Sequence, residues 1–276
     1  MMPNDLYEDL AARIAEHGGA AEIGGLASEF LRVADGPLAR RVFGDLLAAD
    51  PRFLCEAGLV HLNAWDHGLH AKRLAEVTFA VLDFETNGLC PGDRAIEIGL
   101  SCWRNAEEIA SYESLVDPGT GVSPFVTRLT GIREQDLRGR PVFEDILPEV
   151  VRLLEGAVVV AHNLPFDRRI LLTELDRAGG DRRLAEPGIC TLKLARRLLP
   201  KKESKRLDAL ADRFGLRFEA RHRALGDARV TGALLWILLG LAAEEAPMET
   251  FGEFEAFLHR TTHRAGAALL RQGSHR

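Results

Sequence analysis

An apolar segment that ends in two carboxylates constrains this chain most. Residues 79–88 read FAVLDFETNG. Side chains in a strand alternate between two faces, so Asp83 and Glu85 point one way and Phe84 points the other. Two adjacent carboxylates at the end of a buried strand repel each other and are costly to desolvate. A hard cation such as Mg²⁺ or Mn²⁺ between them removes both costs. The alternative is that Asp83 begins a turn and Glu85 is solvated.

Length and composition limit the class of protein. The 276 residues, with 46% hydrophobic and 28% charged residues, suit one large and one small globular domain. A net charge of -6 argues against coating nucleic acid by bulk charge. It leaves a local basic groove open, because salt screens charges beyond about 10 Å.

The sequence favours a cytoplasmic protein without a membrane partner. The four cysteines are far apart and form no CxxC pair, which indicates neither a zinc site nor a disulfide framework and suits a reducing cytosol. The N-terminus lacks an apolar signal core. The most hydrophobic run, 230–243, is shorter than the ~20 residues of a membrane span. We therefore expect a buried core helix there.

The first 62 residues have the outline of a small winged-helix-like domain, followed by a linker over 63–76. Three helices and a hairpin turning at Ala57-Gly58 are predicted, with Val42, Leu46 and Leu47 on one face of the third helix. The helices are predicted over residues 6–17, 20–33 and 38–49, and the hairpin over residues 52–62.

Winged helices often bind DNA through the third helix. Residues 1–75, however, contain eleven acidic and seven basic residues, a net charge of -4. We therefore favour a protein partner or a structural role for residues 1–75 over DNA contact.

Residues 77–243 predict a mixed α/β sheet with helices on both faces. Three strands separated by short turns suggest an antiparallel meander, and the later apolar strand 157–161 suits a position buried on both faces. The meander strands are predicted over 77–84, 95–103 and 108–116. A short edge strand is predicted over 189–191, and helices over Phe143–Leu154, 166–178, 192–199, Leu207–Phe214 and 224–243.

Two further carboxylates follow at element ends. Asp167 lies in the first turn of a helix, just after the buried strand, where the helix N-terminus favours negative charge. Asp227 lies near the start of the long apolar helix, and His222 precedes that helix. Taken singly, each carboxylate could be an ordinary helix-start residue and His222 an ordinary surface histidine.

The three motifs together resemble a known family. Asp-X-Glu-Thr at a strand end, then His-Asn-X-X-Phe-Asp from His162, then His-X-X-X-X-Asp from His222, resemble the DEDDh branch of the 3′→5′ exonucleases. The chain is similar to the proofreading epsilon subunits of bacterial DNA polymerase III over residues 77–243. The similarity includes the segments 129–132 (LTGI), 190–195 (CTLKLA) and 207–211 (LDALA).

The resemblance implies a ribonuclease-H-like fold and a role for each motif residue. Four carboxylates would hold two divalent cations, Mg²⁺ or Mn²⁺, and His222 would be the general base. Thr86 would contact the terminal nucleotide, and Leu129 and Phe166 would pack on terminal bases, with plain core packing as the alternative. His162 and Asn163 would order the second motif within the substrate site. The four ligands would be Asp83, Glu85, Asp167 and Asp227.

The function expected from the resemblance is a metal-dependent exonuclease that releases 5′-mononucleotides from single-stranded or frayed DNA 3′ ends. The alternatives are an exoribonuclease of the ribonuclease T or oligoribonuclease type, and a non-catalytic nucleic-acid-binding module. The basic segment 193–206, which includes Lys201 and Lys202, would guide the phosphate backbone. Residues 244–276 predict one helix, Phe251–His259, a basic tail and no sliding-clamp motif. Repair or turnover is therefore as compatible with the sequence as proofreading.

Overall fold

A computed structural model describes residues 9–10, 13–14, 20–47, 53–56, 58–62, 68–88, 92–218 and 223–259. Its two sheets are a three-stranded sheet near the N-terminus and a five-stranded sheet in the remainder of the described chain. The larger sheet and the helices on both of its faces confirm the predicted mixed α/β architecture.

The N-terminal sheet pairs three short antiparallel strands. Their order in the sheet is β1 (Ala20–Glu22), β3 (Leu59–Leu62) and β2 (Phe53–Glu56). The hairpin predicted over 52–62 is confirmed by β2 and β3. The prediction of a helix over 20–33 is wrong at its start, because residues 20–22 pair with β3 and the helix begins at Ile23. The backbone bonds offered by the open edge of β3 outweigh the helix propensity of the two alanines. The elements are β1 (Ala20–Glu22), α1 (Ile23–Leu31), α2 (Pro37–Leu47), β2 (Phe53–Glu56) and β3 (Leu59–Leu62).

A separate apolar core holds these elements together. Phe43 and Leu47, one helical turn apart on α2, are fully buried against it. Val42, predicted to share a face with Leu47, is instead 43% exposed, because the 3.6-residue period that buries Phe43 and Leu47 turns residue 42 outward. Leu10 and Ile14 are helical and buried in the same core. Asp9 and Arg13 are helical and exposed, and the remaining residues of the predicted helix 6–17 lie outside the described residues.

The larger sheet has the strand order β6-β5-β4-β7-β8. Its first three strands form the predicted antiparallel meander, and β7 and β8 run parallel to β4. The predicted short edge strand is confirmed at the end of the sheet. The strands are β4 (Phe79–Thr86), β5 (Ala95–Arg104), β6 (Glu107–Leu115), β7 (Val158–Ala161) and β8 (Gly188–Cys190).

Helices surround this sheet. Three of them begin and end at the predicted residues: α5 (Phe143–Leu154), α8 (Leu207–Phe214) and α10 (Phe251–His259). Two short helices, α3 and α4, were not predicted from the sequence. Helix α6 begins two residues earlier than predicted, with Pro165 in its first turn, where its missing N–H leaves no bond unmade. The helices are α3 (Pro124–Thr130), α4 (Glu134–Leu137), α5 (Phe143–Leu154), α6 (Leu164–Ala178), α7 (Thr191–Leu198), α8 (Leu207–Phe214), α9 (Ala224–Glu245) and α10 (Phe251–His259).

Alternation along β4 divides the core into two layers. Leu82 and Phe84 pack beneath α5 and α6, whereas Phe79 and Val81 pack beneath α7, α9 and α10. The same period of two places residues 83 and 85 on the α9 side of the strand. Strand β7 is buried on both faces, as predicted.

Helix α9 is the long apolar helix expected from the run 230–243. Among the residues that the structure describes, it is the one helix with the length and hydropathy of a membrane span, and 61% of that window is buried. It packs across β4 and β5, which confirms the predicted core helix.

The described part of the predicted linker packs against α10. Leu69 is buried in the α9-side core. The carbonyls of His70 and Lys72 accept hydrogen bonds from Gly252 and Phe251, and Leu74 N–H donates to the Glu249 carbonyl. Residues 68–76 therefore form part of the larger unit's packing, while residues 63–67 lie outside the described residues.

Candidate active site

Three carboxylates from two elements meet at the end of β4. One oxygen each of Asp83, Glu85 and Asp227 lies within 4.8 Å of the other two. Strand alternation brings the first two to the α9 side, and the first turn of α9 brings Asp227 over them. The structure thus brings together three of the four predicted metal ligands.

The fourth predicted ligand, Asp167, reaches the same strand from α6. It lies in the first turn of that helix, is 3% exposed, and accepts a hydrogen bond from the backbone N–H of Phe84 at 3.3 Å. Because Phe84 lies between Asp83 and Glu85, this bond holds the Asp167 carboxylate beside the other acidic groups.

Burial and mutual repulsion disfavour the ionised forms of these carboxylates. Burial, followed by the charges of Asp167 and Asp227, raises the pKa of Asp83 well above its usual value. Burial and the charge of Asp227 raise the pKa of Glu85 to about 8. Burial likewise raises the pKa of Asp167 to about 8, against the opposing effect of the Phe84 N–H. An all-oxygen donor set of this kind fits hard divalent cations, which would offset the repulsion.

Glu97 anchors the start of α9, a role that was not predicted from the sequence. It is 1% exposed, accepts a hydrogen bond from Arg223 Nε at 2.7 Å, and accepts another from the Ala224 backbone N–H at 3.0 Å. In the β4–β5 pairing it lies opposite Glu85. The available signal was a glutamate flanked by Ile96 and Ile98 in a predicted buried strand.

Gly99 lets α9 lie directly on β5. This residue pairs with Asp83, and a Cβ added to it would lie 2.2 Å from the backbone carbon of Ala224. Any side chain at position 99 would therefore push the first turn of α9, and Asp227 with it, away from β4. The predicted general base, His222, immediately precedes Arg223 but lies outside the described residues.

The turn after β4 connects the carboxylates to the segment before α3. The Thr86 side chain, 5% exposed, donates to the Gly88 carbonyl at 2.6 Å. The Asn87 side chain donates to Thr120 Oγ1 at 2.8 Å, and the Asn87 carbonyl accepts from Ser123 N–H at 2.9 Å. Asn87 thus orders the segment before α3.

Leu129, the last residue but one of α3, has an exposed side chain. The Thr130 hydroxyl donates to the Val126 carbonyl and accepts from Ile132 N–H, and Gly131 at φ 76° ends the helix. These bonds give the threonine and glycine of the LTGI segment a local structural role, which is to end the helix. They leave Leu129 45% exposed, which is compatible with the predicted contact to a base.

The remaining predicted substrate residues differ in their surroundings. Phe166 is half-buried, packs against the α5–α6 core and lies under the Arg169 guanidinium, 5.3 Å from its ring centroid. Both ring nitrogens of His162 contact protein groups, Thr191 Oγ1 at 2.9 Å and the Lys205 carbonyl at 2.8 Å. Burial lowers the pKa of His162. Its contacts therefore join the end of β7 to α7, while Asn163 is exposed at φ 87°.

The basic segment 193–206 divides between two cavities. Lys193 and Arg196 border a groove of about 1020 Å³ beside the edge strand β8. Lys205 and Arg206 border a cavity of about 550 Å³ that Asp227 and Arg196 also line. Arg196 lines both cavities, so three basic residues of the segment (Arg196, Lys205 and Arg206) line the cavity that contains Asp227.

Comparison with known proteins agrees with this geometry. Residues 80–235 match the family model described as "Exonuclease". The PolC-type DNA polymerase III of Streptococcus suis is 38% identical over 173 residues, which are 62% of this chain and 12% of that protein. The chain thus spans about an eighth of this relative's length.

Solved structures share the fold. Exonuclease X in complex with 5′ overhanging duplex DNA superposes with a TM-score of 0.51 and 28% identity, covering 65% of this chain and 99% of that one. A 3′-exonuclease that recognises a histone mRNA stem-loop gives 0.52 at 16% identity, covering 63% and 84%, and shows likeness of fold alone. The chain therefore belongs to the exonuclease family, as the order of its acidic motifs predicts.

Proposed function

We propose that this chain is a metal-dependent 3′→5′ exonuclease that releases 5′-mononucleotides from single-stranded or frayed DNA ends. The observation that carries the proposal is the convergence of Asp83, Glu85 and Asp227 within 4.8 Å. Asp167, bonded to the backbone N–H between the first two, completes the acidic set. A non-catalytic module would not need four mutually repelling carboxylates at one strand end.

The four carboxylates would hold two divalent cations, Mg²⁺ or Mn²⁺. Their raised pKa values and all-oxygen chemistry fit such ions. Bound cations would lower the pKa of a water molecule and stabilise the leaving 3′ oxygen. The chain itself supplies the geometry, because β4, α6 and α9 each fix part of the donor set.

His222 would take the proton from the attacking water as general base. Its place in the sequence supports this role, since the next residue, Arg223, is fixed by the buried Glu97. The Thr86 turn would meet the terminal nucleotide, and Leu129 and Phe166 would pack on terminal bases. His162 and Asn163 would order the second motif, a role that the two ring-nitrogen contacts of His162 support.

DNA is the proposed substrate rather than RNA. The similarity to a PolC-type DNA polymerase III and to an exonuclease solved with duplex DNA supports this choice. A similar fold occurs in a nuclease that recognises an mRNA stem-loop, so the contact made at the sugar 2′ position decides the matter.

We propose the domain organisation predicted above, with a winged-helix-like domain at 1–62 that docks a protein. The fold assignment is supported by helical residues at 9–10 and 13–14, followed by β1, α1, α2 and the β2–β3 hairpin. On α2, Leu38 is 66% exposed, whereas Arg40 is neutralised by Asp35 at 2.7 Å. An exposed apolar side chain beside a paired arginine suits a protein surface better than phosphate. After this domain we propose a linker over 63–67, residues 68–76 packed against α10, the exonuclease domain at 77–243 and the tail at 244–276. We also propose that the chain acts in the cytoplasm.

Degradation assays with the full chain test the function. Substrates are 3′-matched and 3′-mismatched duplex DNA, single-stranded DNA and RNA of one sequence, with Mg²⁺ or EDTA. Asp83→Asn removes a ligand, and Asp212→Asn, on the exposed side of α8, is the matched control. Mg²⁺-dependent release of 5′-mononucleotides that only Asp83→Asn abolishes is expected. Preference for RNA would identify a ribonuclease, and absence of degradation would leave a binding module.

A further inference from the structure

Glu174 is a fully buried glutamate on α6 that lies outside the acidic cluster. None of its side chain is exposed to solvent. Its two carboxylate oxygens accept hydrogen bonds from Nε and Nη2 of Arg94, each at 2.8 Å. Oxygen Oε1 also accepts from the Ala95 backbone N–H at 3.0 Å. A two-pronged cation and a backbone donor therefore attach the third turn of α6 to the start of β5.

Asp167 and Glu174 lie on the same face of α6. They are seven residues apart, which corresponds to two helical turns and a rise of about 10 Å along the axis. Asp167 accepts from the Phe84 N–H on β4, and Glu174 accepts from the Ala95 N–H on β5. Ala95 pairs with Thr86, two residues beyond Phe84. The helix is thus attached at two points to the end of the sheet that carries the acidic site.

Apolar packing between these two points cannot by itself set the position of α6. Ile170 and Leu171 are buried in the α5–α6 core, but the burial of apolar surface is non-directional. Hydrogen bonds to a charged group require a defined distance and angle. A buried ion pair often adds little net stability, because the cost of desolvation offsets the attraction. Its effect on the register of the helix is therefore larger than its effect on stability.

Arg94 is itself held firmly on both sides. Its backbone N–H donates to Asn87 Oδ1 at 2.8 Å, and its carbonyl accepts from the Asn87 N–H at 3.0 Å. Its Nη1 donates to the Pro118 carbonyl at 3.3 Å, and its side chain is 15% exposed. A contact fixes a helix only if the partner cannot move with it, and Arg94 meets this condition.

We infer that Glu174 is a positioning residue that acts through Arg94 to hold the Asp167 carboxylate within the acidic set. Loss of the pair would leave α6 attached through its first turn alone, so the helix could pivot and the Asp167 carboxylate could move away from the other three. Groups that orient metal ligands typically change metal affinity by about tenfold or more. This inference rests on the proposed exonuclease function.

The test measures the Mg²⁺ requirement of the full chain in two ways. The first is the Mg²⁺ concentration that gives half of the rise in Tm at pH 8 without DNA, and the second is the concentration that gives half-maximal degradation of an oligonucleotide. Glu174→Gln keeps the size of the side chain but places an amide opposite the guanidinium. It should raise both concentrations about tenfold, while KM for DNA at saturating Mg²⁺ changes little. Asp176→Asn, which breaks an exposed pair with Arg182 on the same helix, is the matched control.

Two further variants separate positioning from stability. Ile170→Val removes a buried methyl group from α6 and leaves both attachment points intact, so it should lower the Tm without changing the Mg²⁺ requirement. The double variant Arg94→Met with Glu174→Leu leaves no buried charge unpaired. It should keep a Tm in EDTA close to that of the natural protein and still require about tenfold more Mg²⁺.

Three results would overturn the positioning role and leave the exonuclease proposal standing. They are a natural Mg²⁺ requirement in Glu174→Gln, a natural requirement in the apolar double variant, or an equal rise of the requirement in Ile170→Val. Absence of Mg²⁺-dependent degradation by the natural protein would instead overturn the proposed function itself.

Discussion

Single acidic residues at this site lower the stability of the metal-free protein and enable it to bind cations. Asp83 and Glu85 are held on one face of β4, close to Asp227, and Asp167 from α6 accepts a hydrogen bond from the same strand. Each raised pKa expresses the cost of burying a carboxylate near others without a counter-ion. The acidic residues should therefore destabilise the metal-free protein while making it receptive to divalent cations.

Stability of the metal-free protein should fall as the pH rises from about 4.5 to about 8. Folding raises the pKa of Glu85 from 4.5 to about 8, so in this interval the folded protein holds more protons than the unfolded chain. Asp167 acts in the same direction. Thermal unfolding in EDTA at several pH values measures the effect, and Mg²⁺ should raise Tm more at pH 8 than at pH 5.5.

Asp83→Asn should raise the Tm at pH 8 in EDTA, because a neutral amide removes repulsion from a buried position. The same change should abolish the Mg²⁺-dependent rise in Tm. Asp212→Asn, on α8 outside the acidic cluster, should change neither quantity. A lower Tm for Asp83→Asn in EDTA would show that its carboxylate is not repelled as described.

Glu97 should act as a positioning residue for Asp227 and His222. Glu97→Gln loses the charged contact with Arg223, so the start of α9 should be held less firmly. Because small displacements of catalytic groups slow reactions strongly, kcat should fall roughly tenfold or more while KM changes little. Glu107→Gln, an exposed glutamate on β6, is the control. An unchanged kcat would remove this role.

At the scale of elements, the site depends on how closely α9 approaches the sheet. The helix crosses β4 and β5, and glycines mark two of its contacts. A Cβ at Gly99 would meet the Ala224 backbone at 2.2 Å, and one at Gly232 would meet the Trp103 ring at 2.2 Å. Helix α9 therefore positions Asp227 only because both elements lack side chains there.

Gly99→Ala should lower both stability and activity. Backbone atoms cannot move aside as a flexible side chain can, so the added methyl group should cost about 1–3 kcal/mol and displace the start of α9. Gly240→Ala is the matched control, because a Cβ there meets nothing within 4 Å and alanine favours the helix. Chemical denaturation and kcat on a DNA oligonucleotide check both effects. A Gly99→Ala variant with natural stability would refute the close packing.

At the scale of the whole molecule, the apolar cores separate the N-terminal elements from the exonuclease unit. The cluster around Phe43 contains residues from 10 to 60, and the other clusters begin at Leu69. The segment 68–76 belongs energetically to the larger unit, because it bonds to α10. The His70–Glu255 contact at 2.8 Å adds to this packing.

Two truncations should therefore behave differently. Removal of residues 1–67 should leave the Tm and nuclease activity of the exonuclease unit nearly unchanged. Removal of residues 1–76 should lower the Tm, because it also exposes the surface that Leu69 covers and leaves the Phe251 and Gly252 N–H groups without their carbonyl partners. Equal stability of the two truncated proteins would contradict the assignment of 68–76 to the larger unit.

The sequence alone determined most of the elements of the larger unit and the order of the acidic motifs. The helical periods over 143–154, 207–214 and 251–259 are local patterns, which explains the agreement in their bounds. The first strand of the larger sheet, predicted over 77–84, instead spans Phe79–Thr86. The strand over 20–22 escaped sequence analysis because its hydrogen-bond partner, β3, lies some forty residues away along the chain.

Only the tertiary structure decided how the site is assembled. Asp227 meets Asp83 across nearly 150 residues because Gly99 admits α9 and Glu97 holds its first turn. Local sequence records the type and spacing of side chains, but close approach depends on what the facing element lacks. For the same reason, the sequence did not indicate the Arg94–Glu174 pair or the packing of 68–76 on α10, since both depend on contacts between distant segments.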